Sequence, residues 1–126
     1  MLVAISKKSL YRPIFESFIN EKYTLCVTTD ILMEYEEIVG LHLGRNLSSN
    51  LLQLIENAIN VEFHNKYFKW NLIQVDQDDN KFVDCAIAAD AMFLVSNDKH
   101  FNILKNIPFP KVKIITAQEF LEIIRE

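Results

Sequence analysis

Short apolar blocks alternate along this chain with longer stretches in which apolar residues recur every three or four positions. The blocks Met1–Ser6, Tyr23–Val27, Val61–His64, Met92–Ser96 and Lys113–Thr116 read as short strands. The spaced stretches read as helices. Leu10–Asn20 carries a stripe of Ile14, Phe15, Phe18 and Ile19, with Pro13 tolerable in the first turn. Thr28 or Thr29 is suited to cap a helix running to about Leu43. A loop with Gly44 follows, and Ser48 or Ser49 is placed to cap a helix through about Ile59. Asp79 to Asp90, Lys99–Asn106 and Ala117–Arg125 complete the helices, while Asn65 to Gln77 gives no clear signal and Pro108 and Pro110 break the chain. Strands alternating with helices predict βαβ units, and hence an α/β fold: a three-layer α/β/α sandwich around a mostly parallel sheet, in one domain spanning residues 1–126.

Composition narrows this picture. Half of the 126 residues are apolar, enough for a real core, and only two glycines and three prolines argue against a turn-rich β sandwich. The net charge of −4 excludes a broadly basic nucleic-acid-binding surface. Cys26 and Cys85 have no paired spacing, so two free buried thiols in a reducing cytoplasm are expected. No apolar run reaches the roughly 18 residues of a membrane span, and Met1–Ile5 is too short and lacks the basic start of a signal peptide. There is neither a glycine-rich phosphate loop nor a serine nucleophile elbow.

Parallel sheets keep their sites at the carboxyl ends of the strands. Asp84 lies in the apolar run Phe82–Ala89, where a helix leaves little polar surface, so its carboxylate needs a partner. A salt bridge to Lys81 or a polar group on an adjacent loop would satisfy it, as would a metal or catalytic role. Glu34 falls between Ile31, Ile38 and Leu41 on a helical wheel and so faces the core, whereas Glu36 and Glu37 read as surface acids. Asp98 follows the strand Met92–Ser96, where either ligand binding or helix capping explains it. Asp79 has the same two readings. Six of the seventeen acids lie between Asp76 and Asp98, a concentration that favours a hard ion, Mg²⁺ or Mn²⁺. His42, His64 and His100 are isolated in sequence, which disfavours zinc. Lys7, Lys8, Arg12, Lys99 and His100 are candidates for phosphate contact, with solvated surface as the alternative. Tyr11, Phe68 and Trp70 either stack on bases or pack in the core.

Three segments together resemble the PIN-domain family. They are Thr28-Thr29-Asp30-Ile31-Leu32-Met33-Glu34-Tyr35-Glu36-Glu37, Asp78-Asp79-Asn80-Lys81-Phe82-Val83-Asp84-Cys85-Ala86-Ile87-Ala88 and Phe93-Leu94-Val95-Ser96-Asn97-Asp98-Lys99-His100-Phe101. More narrowly, the chain resembles the toxins of toxin–antitoxin pairs. The resemblance implies a Rossmann-like fold, RNA cleavage by a metal-activated water, a small antitoxin partner and frequent homodimers. It also implies that Glu34, Asp84 and Asp98 are metal ligands and catalytic acids, that Asp79 is a further acid at the site, and that Asn97 contacts the metal's water or a phosphate.

One departure stands out. The family opens with a strand ending in an Asp followed by a hydroxyl residue and Asn, whereas Met1–Ser9 resembles the segment after that motif and no acid precedes Glu16. The expectation is therefore a fold without most of its first strand and a site with three of four carboxylates, the gap in the sheet being filled by Leu2–Ile5 or by a partner chain. Two functions follow: a metal-dependent endoribonuclease impaired by the missing acid, or an inactive module that binds an antitoxin or RNA without cutting. A phosphoacceptor receiver domain ranks below both, because no acid sits plainly at a strand end as acceptor.

Overall fold

The computed structural model describes residues 1–43, 45–65 and 69–125. Five parallel strands form one sheet: β1 (Leu2–Ile5), β2 (Thr24–Val27), β3 (Val61–Phe63), β4 (Phe93–Val95) and β5 (Ile114–Ile115), in the order β3-β2-β1-β4-β5. The helices are α1 (Arg12–Ile19), α2 (Thr29–Leu43), α3 (Arg45–Asn57), α4 (Asn80–Ala89) and α5 (Ala117–Ile124). This is the expected parallel α/β architecture.

The centre of the sheet answers the question of the first strand. Leu2–Ile5 takes the central position, pairing Val3 with Leu25 of β2 on one side and Val3, Ala4 and Ile5 with Phe93, Leu94 and Val95 of β4 on the other. No partner chain is needed to fill it. Its residues suit the place: Val3, Ala4 and Ile5 are buried with no polar alternation, as a strand covered on both faces requires. The Tyr35 hydroxyl on α2 donates to the Ile5 carbonyl at 2.5 Å and so fastens α2 to the strand's carboxyl end.

Several boundaries shift for physical reasons. The third helix begins at Arg45, so Ser48 and Ser49 lie inside it rather than capping it, and Gly44 falls outside the described residues. Thr28 does cap α2: its hydroxyl oxygen accepts from the Ile31 N–H at 3.4 Å and its proton goes to Asp30. Lys99–Asn106 winds as a 3-10 helix, and Gln77–Asp79 forms a 3-10 turn ahead of α4. Helix α4 stops at Asp90, whose left-handed backbone (φ 52°) returns its N–H to the Ala86 and Ile87 carbonyls. Cys26 on β2 and Cys85 on α4 are free and buried, as expected, yet their thiols hydrogen-bond to each other. That contact and burial push the Cys26 thiol far up, which disfavours its nucleophilic thiolate.

The strand order matters for function. The chain builds outward from β1 through β2 to β3, then returns to β4 on the other side of β1. The crevice between the carboxyl ends of β1 and β4 is the switch point where α/β sheets bind ligands.

Candidate active site

Three serines line that switch point. The Ser6 hydroxyl, just past β1, hydrogen-bonds with Ser9 at 3.0 Å and Ser96 at 2.9 Å, and all three residues are buried. The Asn97 N–H donates to Ser9 Oγ at 3.1 Å and the Asp98 N–H to Ser96 Oγ at 3.0 Å. This network fixes the backbone after β4, and with it the direction in which Asp98 projects.

Asp98 does cap the following 3-10 helix, accepting from the His100 N–H at 2.9 Å. The same Asp98 Oδ1 lies 3.4 Å from the His100 ring Nδ1, and Asp79 Oδ2 also lies 3.4 Å from that nitrogen. Asp79 does not cap its helix with its side chain. It turns inward instead, its side chain 4% exposed. Burial first, then the charge of Asp76, push its carboxyl above the ordinary value, while the contact with His100 pulls the other way. Asp76, Asp79 and His100 each offer a ligand atom within 4.8 Å of the others. Donors about 2.1 Å from one ion stand about 3 Å apart when adjacent and about 4.2 Å apart when opposite, so these side chains fit a single divalent cation with little movement. A set of two carboxylates and an imidazole suits Mn²⁺ better than Mg²⁺.

Glu34 and Asp84 are placed differently. Among the described residues, Glu34, Asp84 and Asp98 do not make up a group of ligand atoms within 4.8 Å of one another. Glu34 faces inward as its helical position implied, but two ammonium groups hold it: Lys81 Nζ at 2.6 Å from Oε1 and Lys7 Nζ at 3.7 Å from Oε2. Desolvation alone would lower the Lys81 ammonium; the hydrogen bond and charge of Glu34, with Asp78 and Asp30 behind them, outweigh it and raise its pKa. Asp84 is buried on α4 and forms no bridge to Lys81. Its Oδ1 accepts the Trp70 N–H at 3.1 Å. Burial raises its pKa, while that N–H and the charge of Lys69 partly offset the rise.

The cations proposed for phosphate separate in the same way. Lys7 is committed to Glu34, and Arg12 pairs with Glu16 at 2.9 Å on the exposed face of α1. Lys8 and Lys99 are exposed. The Asn97 carboxamide oxygen accepts the Ala117 N–H at 2.9 Å, which ties the end of β4 to the start of α5. His100 as a candidate ligand, rather than a phosphate contact, and the Lys81–Glu34 pair escaped sequence reasoning because their partners lie 21 and 47 residues away, beyond any local periodicity. The one hint was the block of acids before α4. A separate cleft of about 500 Å³ between α1 and α3 is lined by Ile19, Leu54 and Ile59, with Glu21 as its sole acid, and offers no catalytic pair.

Comparison with known proteins agrees with this layout. Residues 1–100 match the PIN domain, a family whose members are generally nucleases, typically use divalent metals and commonly bind RNA. No curated protein and no solved structure matches the chain. Among the described residues no helix is long and apolar enough to cross a membrane. With its five-stranded parallel sheet, its acids at the switch point and a match over most of its length, this chain belongs to the PIN-domain family.

Proposed function

We propose that this chain is a metal-dependent endoribonuclease acting as the toxin of a toxin–antitoxin pair in the cytoplasm. The observation that carries the reading is the convergence of Asp76, Asp79 and Asp98 on His100, beside the carboxyl end of β4, in a PIN-family chain. Asp79, Asp76 and His100 would hold the ion, with Asp98 beside the same imidazole nitrogen as Asp79. A bound Mn²⁺ or Mg²⁺ lowers the pKa of a water and offsets charge building on a phosphate. The protein's own residues do the rest. The serine network holds Asp98 in place, and Asp98 accepts the proton that an attacking water gives up and returns a proton to the oxygen that leaves phosphorus. Exposed Lys8 and Lys99 meet backbone phosphates. Asp84 and Glu34 take part once RNA phosphates draw Lys81 and Lys7 away from Glu34.

The test is cleavage of labelled single-stranded RNA with Mn²⁺ or Mg²⁺. Cleavage abolished by chelator, by Asp98→Asn and by Asp84→Asn supports the reading. Cleavage that persists in chelator or survives both substitutions rules it out.

The second reading is a PIN-fold module that binds an antitoxin or RNA without cutting. The double-lysine hold on Glu34 favours it. Calorimetry separates the two: the module takes up no Mn²⁺, whereas the nuclease does.

A further inference from the structure

Beside Asp84 the structure pairs a half-buried aromatic ring with an exposed one. Trp70, whose backbone N–H holds the Asp84 carboxylate, packs edge-on against Phe109, with ring centroids 6.1 Å apart at 85°. Phe109 is 79% exposed, while Pro110 and Val112 behind it are buried. The loop is therefore anchored by its alternate residues and presents Phe109, Lys111 and Lys113 to solvent. Phe109, fixed against a second ring and largely in water, is the kind of ring that stacks on unpaired bases.

Charge points the same way. The protein as a whole is acidic, yet no acid occurs from Lys99 to Gln118, a stretch with four lysines, and none from Asn65 to Val75, which contains Lys69. Lys69 and Lys111 are exposed, and the Lys69 charge reaches Asp84. Lys113, exposed four residues after Phe109, lies over the Phe93 ring at 5.3 Å. Aromatic faces interleaved with lysines, in a chain otherwise negative, complement a polyanion with exposed bases.

We propose that Trp70 and Phe109 form a stacking platform for an unpaired base of single-stranded RNA, with Lys69 and Lys111 at the adjoining phosphates. This rests on the nuclease reading and adds which side chains grip the strand next to Asp84. A duplex has no free base face for the platform.

Trp70 is the only tryptophan, so its emission reports directly on stacking. The full chain is titrated in EDTA with labelled oligoadenylate, so binding is read without cleavage. The expected result is quenched emission, a 5- to 150-fold loss of affinity (about the worth of one stacked base) in Phe109→Leu, and affinity kept in Phe109→Tyr. Lys111→Gln lowers the slope of log affinity against log salt by about 1. The proposal is overturned if Phe109→Leu binds like the parent, or if a duplex of the same strand binds equally well. It is also overturned if the substitution changes only the sedimentation coefficient, which would make the pair a self-association surface. Binding without cleavage when Mn²⁺ is restored would sink the nuclease reading alone, and cleavage with unchanged binding in Phe109→Leu would sink the platform alone.

Discussion

Replacing Lys81 with Met tests whether the ammonium hold on Glu34 is energetic or incidental. Lys81 Nζ lies 2.6 Å from Glu34 Oε1, with side chains 18% and 16% exposed. At that burial the pair is worth more than a surface ion pair, and a hydrogen bond between charged groups contributes about 1.5–3 kcal/mol. Lys7 remains 3.7 Å from the other oxygen, so the loss stays below the roughly 3–5 kcal/mol of an orphaned buried charge. A chain of 126 residues unfolds with an entropy of about 0.26 kcal/mol/K, so Tm should fall by about 6–11 °C. Lys81 has a raised pKa in the folded state, so this contribution is fully present below 10.5, its ordinary value, and is lost only as the pH climbs through the folded value. The assay is thermal unfolding in EDTA at pH 7 of the parent, Lys81→Met, Glu34→Gln and the double variant. A coupling energy of at least about 1 kcal/mol is expected. Additivity to within about 0.5 kcal/mol would refute the reasoning. With Mn²⁺ in place of EDTA, Lys81→Met should gain more thermal protection than the parent, because Glu34 is then open to a second cation.

Asp84→Asn should make the metal-free protein more stable at neutral pH, since burial raises the folded pKa of Asp84 and its charged form then costs stability as pH rises above 3.8, the ordinary value. The amide oxygen still accepts the Trp70 N–H, so urea midpoints in EDTA isolate the charge; an Asn variant less stable at pH 7 than the parent would count against this. His100→Gln should weaken Mn²⁺ binding by at least about tenfold in calorimetry, and an unchanged affinity would remove His100 from the site.

Much of the fold was legible because it is written locally. The apolar blocks that became β2 and β4 are buried on both faces, and the run Phe82–Ala86 is buried as its pattern required. Leu2–Ile5 was ambiguous because sequence shows a strand's propensity but not its neighbours, and only pairing on both sides identifies it as the sheet's centre. The acids divide in the same way. The burial of Asp84 and the inward turn of Glu34 could be read from helical periodicity. Their partners could not, because Lys81 to Glu34 and Trp70 to Asp84 depend on packing between separate elements. Phe109 was overlooked because a phenylalanine between two prolines carries no periodic signal, and Phe68 lies outside the described residues.

The central claim, an ion held among Asp76, Asp79 and His100 that serves RNA cleavage, is tested most directly by single-turnover cleavage of a labelled RNA strand across a Mn²⁺ titration, comparing the parent with Asp79→Asn. The account predicts cleavage that is absent in EDTA, saturates with Mn²⁺ and requires at least about tenfold more Mn²⁺ in the variant. Identical Mn²⁺ dependence in the two proteins, or an uncut strand when the folded parent is saturated with Mn²⁺, would contradict it.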